Sequence, residues 1–125
     1  MSWIQYNPNP AGRNVGDCAV RALTVALDVD WEDAFELITR AAFNMADMPS
    51  SDSVWGAVLR SNGFYREAVP NTCPECYTVA DFAMDHPKGV YVVGTGGHVV
   101  TVVDGVLYDS WNSSKEIPIY YWYKK

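Results

Sequence analysis

A thiol, an imidazole and a carboxylate can together open an acyl bond if local structure aims them at one another, and this chain places one of each where local structure can. The thiol is Cys18, in Gly16-Asp17-Cys18-Ala19-Val20-Arg21-Ala22-Leu23. Ala19, Ala22, Leu23, Ala26 and Leu27 recur at helical spacing, and Asp17 before them suits an N-cap whose carboxylate accepts from free N–H groups of the first turn. Cys18 then sits at about the first helical position. Unpaired N–H groups and the positive end of the helix dipole stabilise a thiolate there, and the thiolate is the form that attacks carbonyl carbon. Plain packing on a buried helix is the alternative use of such a cysteine.

The imidazole and the carboxylate are His98 and Asp109, on either side of Asp104-Gly105, the pair favoured in a two-residue type I′ hairpin turn. With Val103 opposite Val106, Val100 falls opposite Asp109 and His98 opposite Trp111. His98 and Asp109 then share a sheet face as diagonal neighbours, roughly 7–8 Å apart at the backbone, a span their side chains can close. Asn112 points to the other face by the same parity, and Asp104 belongs to the turn. A carboxylate on the ring fixes the imidazole tautomer and leaves the second nitrogen for the thiol, so the roles are Cys18 nucleophile, His98 base and acid, and Asp109 orienting group. A strand histidine satisfied by its neighbours and a strand-end acid are the alternatives.

These residues need a helix and a sheet to hold them. Residues 1–14, with Asn7-Pro8-Asn9-Pro10 and Ala11-Gly12-Arg13-Asn14, carry turn chemistry and are expected to wrap the surface. A first helix runs from Asp17 to about Leu27, apolar on most of its circumference with Arg21 the exception. A second follows the Asp30 N-cap towards Phe43, and a third spans about Asp52 to the Asn62-Gly63 stop. Phe64 to Val69 suits a short strand, and Thr78 to Asp85 has the cap spacing of a short helix. From Gly89 the period changes. Val90–Val93, His98–Val103, Val106–Trp111 and Ile117–Tyr123 are β-branched or aromatic runs that predict an antiparallel meander of about four strands. Helices first and strands second give an α+β fold, with the sheet packed on the helix that carries Cys18.

The chain has 125 residues, enough for a single domain over 1–125. Its net charge of −6, with few and scattered Lys and Arg, argues against nucleic acid, which needs a basic footprint. No apolar run approaches the roughly 20 residues that cross a bilayer, so no membrane is expected. The first residues lack the basic and apolar regions of a signal peptide, and the chain reads as cytoplasmic. Three cysteines in such a context read as thiols or metal ligands before a disulfide framework.

An N-terminal helix opening with Cys, followed by a sheet carrying His and then Asn or Asp, is similar to the papain-like cysteine peptidase superfamily. Asp109-Ser110-Trp111 resembles the Asn-Ser-Trp of papain-type enzymes with Asp for Asn, and Gly97-His98-Val99-Val100 resembles the family's Gly-His motif. Gly16-Asp17-Cys18 and Arg21-Ala22-Leu23 also resemble the nucleophile segment of ovarian-tumour-type deubiquitinases. The Cys, His, Asp order and the Val-rich strand resemble bacteriocin-leader-processing peptidases as well. The resemblance implies a papain-like core, cleavage of an amide or isopeptide bond in a peptide substrate through a thioester, no cofactor, and Trp111 shielding the His98–Asp109 bond. Papain-type enzymes place an oxyanion-stabilising Gln six residues before the Cys, where this chain has Gly12. Asn14 and Gln5 are the nearby amides to replace it, beside the Cys18 backbone N–H, with Asn14 the better placed. A non-catalytic binding or adaptor module on the same fold is the alternative function, and the missing Gln favours it.

Cys73-Pro74-Glu75-Cys76 is a C-x-x-C, open to readings as half a zinc site, a redox pair or a structural pair. Only His86 lies near as a further ligand. A loop without a closed tetrahedral metal site is the expectation, with His86 a surface residue at a helix end. A zinc-stabilised interaction domain built on this motif is a second rival function. Gly94-Thr95-Gly96-Gly97 gives backbone room around His98, and Tyr120-Tyr121-Trp122-Tyr123 reads as a half-buried strand.

Overall fold

The computed structural model of the chain describes residues 2–124. Four helices and six strands follow in the order β1 (Ser2–Gln5), α1 (Cys18–Leu27), α2 (Trp31–Met45), α3 (Asp52–Ser61), β2 (Phe64–Ala68), α4 (Val79–Asp85), β3 (Val90–Gly94), β4 (Val99–Val103), β5 (Val106–Asp109) and β6 (Tyr120–Lys124). The fold is α+β. The helix starts follow capping chemistry: the Asp30 carboxylate accepts from the Asp33 N–H, and Thr78 and Asp81 form a reciprocal capping box.

The strands form one mixed sheet of order β1-β5-β4-β3-β6-β2, which corrects the expected four-stranded antiparallel meander in three places. Ser2–Gln5, expected as surface turn, is an edge strand that runs parallel to β5. Asp109 ends β5, and the segment after it turns away: the Ser114 and Glu116 carbonyls accept from the Ala80 and Val79 N–H groups at the start of α4. The chain therefore returns as β6 against β3 instead of β5, and β2 closes the far edge beside β6. Turn composition in residues 1–14 hid the first strand, because Trp3, Ile4 and Gln5 are too short a run to register against the prolines behind them.

The β4–β5 hairpin has the register that Asp104-Gly105 predicts, Val103 opposite Val106 and Thr101 opposite Tyr108. Asp104 and Gly105 both take positive φ, 50° and 78°, as a type I′ turn requires. Each sheet face has its own apolar cluster. Leu23, Ile38, Val54, Trp55 and Leu59 of α1–α3 pack with Val92, Val99 and Trp122 on one side, and Phe82 and Ala83 of α4 pack with Val93, Val100, Val102 and Leu107 on the other. Thr101, buried between α1 and the sheet, donates its hydroxyl to the Ala22 carbonyl at 2.7 Å and so ties β4 to the Cys18 helix. No helix among the described residues is long and apolar enough to cross a membrane.

Candidate active site

Cys18 is the first residue of α1 and is half-buried. Asp17 occupies the N-cap position, but its side chain makes no cap hydrogen bond, which corrects the expectation from sequence. Its Oδ1 instead accepts from Arg21 Nη1 at 2.9 Å and its Oδ2 from Trp31 Nε1 at 2.9 Å. The reason lies one turn along the helix. Arg21 is 4% exposed, and a buried guanidinium is tolerable only with carboxylates around it, so Asp17 serves the cation before it serves the helix end.

The second carboxylate on Arg21 is Asp109, whose Oδ1 receives Nε at 3.2 Å and Nη2 at 3.1 Å. Asp109 is wholly buried and every direction around it is answered: Oδ1 also accepts from the Ser110 N–H at 2.8 Å, and Oδ2 accepts from Ser113 Oγ at 2.6 Å and from His98 Nε2 at 2.7 Å. An ionised carboxylate only accepts, so Nε2 carries a proton and Nδ1 is the nitrogen left for the thiol. The Cys18 side chain hydrogen-bonds to His98, and the Val99 backbone N–H donates to its sulfur. Trp111 lies against the imidazole, ring centroids 4.7 Å apart and tilted by 46°. Cys18, His98, Asp109 and Trp111 are thus brought together. Leu107, two residues before Asp109, belongs to the α4 cluster, whereas Asp109, the last residue of β5, reaches Arg21 of α1.

The electrostatics follow from these contacts. Burial pushes the Cys18 thiol up, but the hydrogen bond and charge of His98, the Val99 N–H and the charge of Arg21 together hold it below an ordinary thiol. Burial likewise works against a charged His98, yet the hydrogen bonds and charges of Asp109 and Cys18 outweigh it and raise the imidazole to about 9. Asp109 is held below the usual carboxylate range: burial opposes ionisation, and His98, Ser113 and Arg21 overcome it. The two shifts run in opposite directions, and each favours the charged form of its group, thiolate on Cys18 and imidazolium on His98.

Comparisons with protein-family models, with curated proteins and with solved structures give no match.

A cavity of about 560 Å³ opens onto Cys18 and His98, walled by Trp31, Phe35, Trp55 and Tyr120 and bordered by Gly96 and Gly97. Trp31 and Phe35 stack at 4.9 Å and 11°, with the Trp31 indole anchored by Asp17. Neither Asn14 nor Gln5 lines it. Asn14 is exposed, and Gln5 is on β1 opposite Asp109, its Nε2 turned to the Ser110 carbonyl at 3.5 Å. The loop 7–16 supplies Asn9 and Arg13 to the lining instead.

Cys73 and Cys76 form a disulfide in the loop before α4, where thiols or metal ligands were expected to come first. Closure of the two sulfurs on each other removes them as ligands. Among the described residues no group of three His, Cys, Asp or Glu side chains is placed to hold a metal ion. His86 ends α4 with its ring stacked on Phe82 at 3.9 Å and its Nδ1 2.8 Å from the Phe82 carbonyl oxygen. Sequence reasoning missed the role of Arg21, though one cation on an apolar helix, a turn after the cysteine, was a signal. Ser113 and the Val99 N–H gave none, because their contacts depend on how the chain turns after β5 and before β4.

Proposed function

We propose that the chain is a small cysteine hydrolase with a papain-like arrangement, acting on an amide or isopeptide bond of a peptide substrate as peptidase, isopeptidase or amidase. The observation that carries this reading is the Cys18 thiol in contact with an imidazole whose other nitrogen is held at 2.7 Å by a fully buried carboxylate, at the mouth of a cavity. Such a site has what acyl transfer requires: a nucleophile, a proton carrier and a group that fixes the carrier. The Cys18 thiolate adds to the carbonyl carbon, and His98 gives its proton to the leaving amine as the carbon–nitrogen bond breaks. Water then adds to the thioester, His98 takes a proton from it, and the acid leaves as the thiolate is restored. Asp109 keeps the imidazole aimed throughout without touching substrate.

The test is single-turnover acylation by p-nitrophenyl acetate, a generic acyl donor, at pH 7. One equivalent of p-nitrophenolate released in a burst, abolished by Cys18→Ser, is the expected result. A protein that shows no burst is better read as a binding module on this fold, the reading that Gly12 in the place of an oxyanion Gln favours.

A further inference from the structure

Attack on a carbonyl puts negative charge on its oxygen, and neither amide expected to receive it reaches the cavity. Asn9 does. Its Oδ1 accepts from the Ala11 N–H at 2.9 Å and the Arg13 N–H at 3.2 Å, and its own N–H donates to Asn7 Oδ1 at 3.2 Å. Two N–H donors on one side-chain atom fix which end of the amide is oxygen, so the NH2 end is the one released from the loop. No hydrogen bond from Asn9 Nδ2 to the protein is present among the described residues, and Asn9 lines the cavity together with Cys18 and His98. The loop that carries it is closed by a Gly12 N–H to Asn9 carbonyl bond of 2.9 Å and by Asn7 Nδ2 to the Arg13 carbonyl at 3.2 Å, so the amide is presented from a braced turn.

The start of α1 is the second half of the same feature. Asp17 is engaged by Arg21 and Trp31, no side chain caps the helix, and Cys18, Ala19 and Val20, whose N–H groups lack helical acceptors, all line the cavity. From this we infer that Asn9 Nδ2, together with the Cys18 backbone N–H, donates to the oxyanion of the tetrahedral intermediate, taking the place of Gln in papain-type enzymes. Asn9 is then a catalytic residue. The inference rests on the hydrolase reading and goes beyond it by assigning the electrophilic half of the site.

The experiment compares two reactions of Cys18: acylation by p-nitrophenyl acetate, which develops an oxyanion, and alkylation by iodoacetamide, which does not. Their rate ratio reads oxyanion stabilisation apart from thiolate content. Asn9→Asp keeps the Oδ1 acceptor for the Ala11 and Arg13 N–H groups and removes the NH2, whereas Asn9→Ala removes both. Both variants are expected to lower the ratio about 10²-fold, the size of a lost oxyanion donor, while Asn14→Ala and Gln5→Ala leave it within about threefold. A ratio preserved in Asn9→Asp but lost in Asn9→Ala makes Asn9 a loop brace only and overturns the inference, as does a ratio that falls in Asn14→Ala or Gln5→Ala instead. If the unsubstituted protein alkylates at low pH and bursts while the Asn9 variants match it, this assignment alone fails. If the unsubstituted protein gives no burst, the hydrolase reading fails and the assignment with it.

Discussion

The chain holds its cysteines in two unlike surroundings. Cys18 starts a ten-residue helix, faces a cavity, and has an imidazole, a backbone N–H and a buried guanidinium within electrostatic reach. Cys73 and Cys76 lie in a turn whose N–H groups are satisfied locally, Cys73 by Asn71 Oδ1 at 3.0 Å and Tyr77 by Thr72 Oγ1 at 2.8 Å, and the two sulfurs have each other. The sequence neighbourhoods show a helix start at one and a loop at the other, but not the partners that each sulfur receives. Reactivity depends on groups that lower a thiol pKa, and at Cys18 these are Arg21 from the same helix and, with larger influence, His98 and the Val99 N–H from about 80 positions away in the chain.

Removing the imidazole is expected to erase the contrast most. His98→Ala should slow alkylation of Cys18 by iodoacetamide at pH 6 by about 100-fold, because an ordinary thiol with pKa about 8.5 is then less than about 1% thiolate. A rate unchanged by the substitution, read by mass spectrometry of the Cys18 peptide, would mean that the dipole alone activates the thiol. The same pair sets a pH window with a definite sign. If the proposed hydrolase reading holds, acyl transfer should rise as pH passes the lowered Cys18 value and fall as it passes about 9, where His98 loses the proton that this reading assigns to the leaving group. Alkylation needs only the thiolate and should not fall on that alkaline side.

Asp109→Ala is expected to have the next effect, about tenfold on low-pH alkylation, since Asp109 acts on Cys18 only through His98. It should act more strongly on hydrolysis, where tautomer and ring position matter in every proton transfer. Equal losses in the two assays would argue that the carboxylate only supports the fold.

Arg21→Met tests the support beneath both. It leaves two buried carboxylates, Asp17 and Asp109, without their shared cation, and breaking a buried pair from one side costs about 3–5 kcal/mol, read from the urea midpoint. Alkylation at pH 6 should change only a few-fold, as the guanidinium is the smallest of the influences on Cys18. Arg21→Lys is expected to recover little, because a point charge cannot reach Asp17 and Asp109 together as the planar fork does.

The smallest effect belongs to the other cysteine region. Replacing Cys73 and Cys76 together by Ser should leave Cys18 alkylation and any acylation burst unchanged within about twofold. The cost in stability should not exceed about 2 kcal/mol, the chain-entropy limit for so short a loop. A large loss of Cys18 reactivity would show that the loop before α4 communicates with the site.

Local chemistry was legible in the sequence wherever neighbours in the chain decide it. The Asp30 and Thr78 caps, the Asp104-Gly105 turn, the Val103–Val106 register and the meeting of His98 with Asp109 all follow from residues a few positions apart or from one hairpin. The parallel edge strand Ser2–Gln5 and the return of β6 to β3 were not legible, because strand pairing across about 100 and 25 residues leaves no mark in the periodicity of either strand. Asp17 marks the boundary between the two cases. Its residue type and place predicted a cap, and one buried arginine overrode the prediction, since an unpaired buried cation costs more than an uncapped helix end.

The sequence by itself determined the reactive types and their order, a cysteine at a helix start and a histidine and aspartate joined by a tight hairpin, because capping, periodicity and turn geometry act over a few residues. Only the tertiary structure decided which partners each received. It brought Arg21 under Asp109, the Val99 N–H to the Cys18 sulfur, Ser113 to the carboxylate, and Asn9 instead of Asn14 to the cavity. Those choices are settled by burial: once α1 packs on the sheet, an enclosed charge is costly without a partner, the partner comes from whatever side chains the fold has delivered there, and sequence distance has no part in that selection.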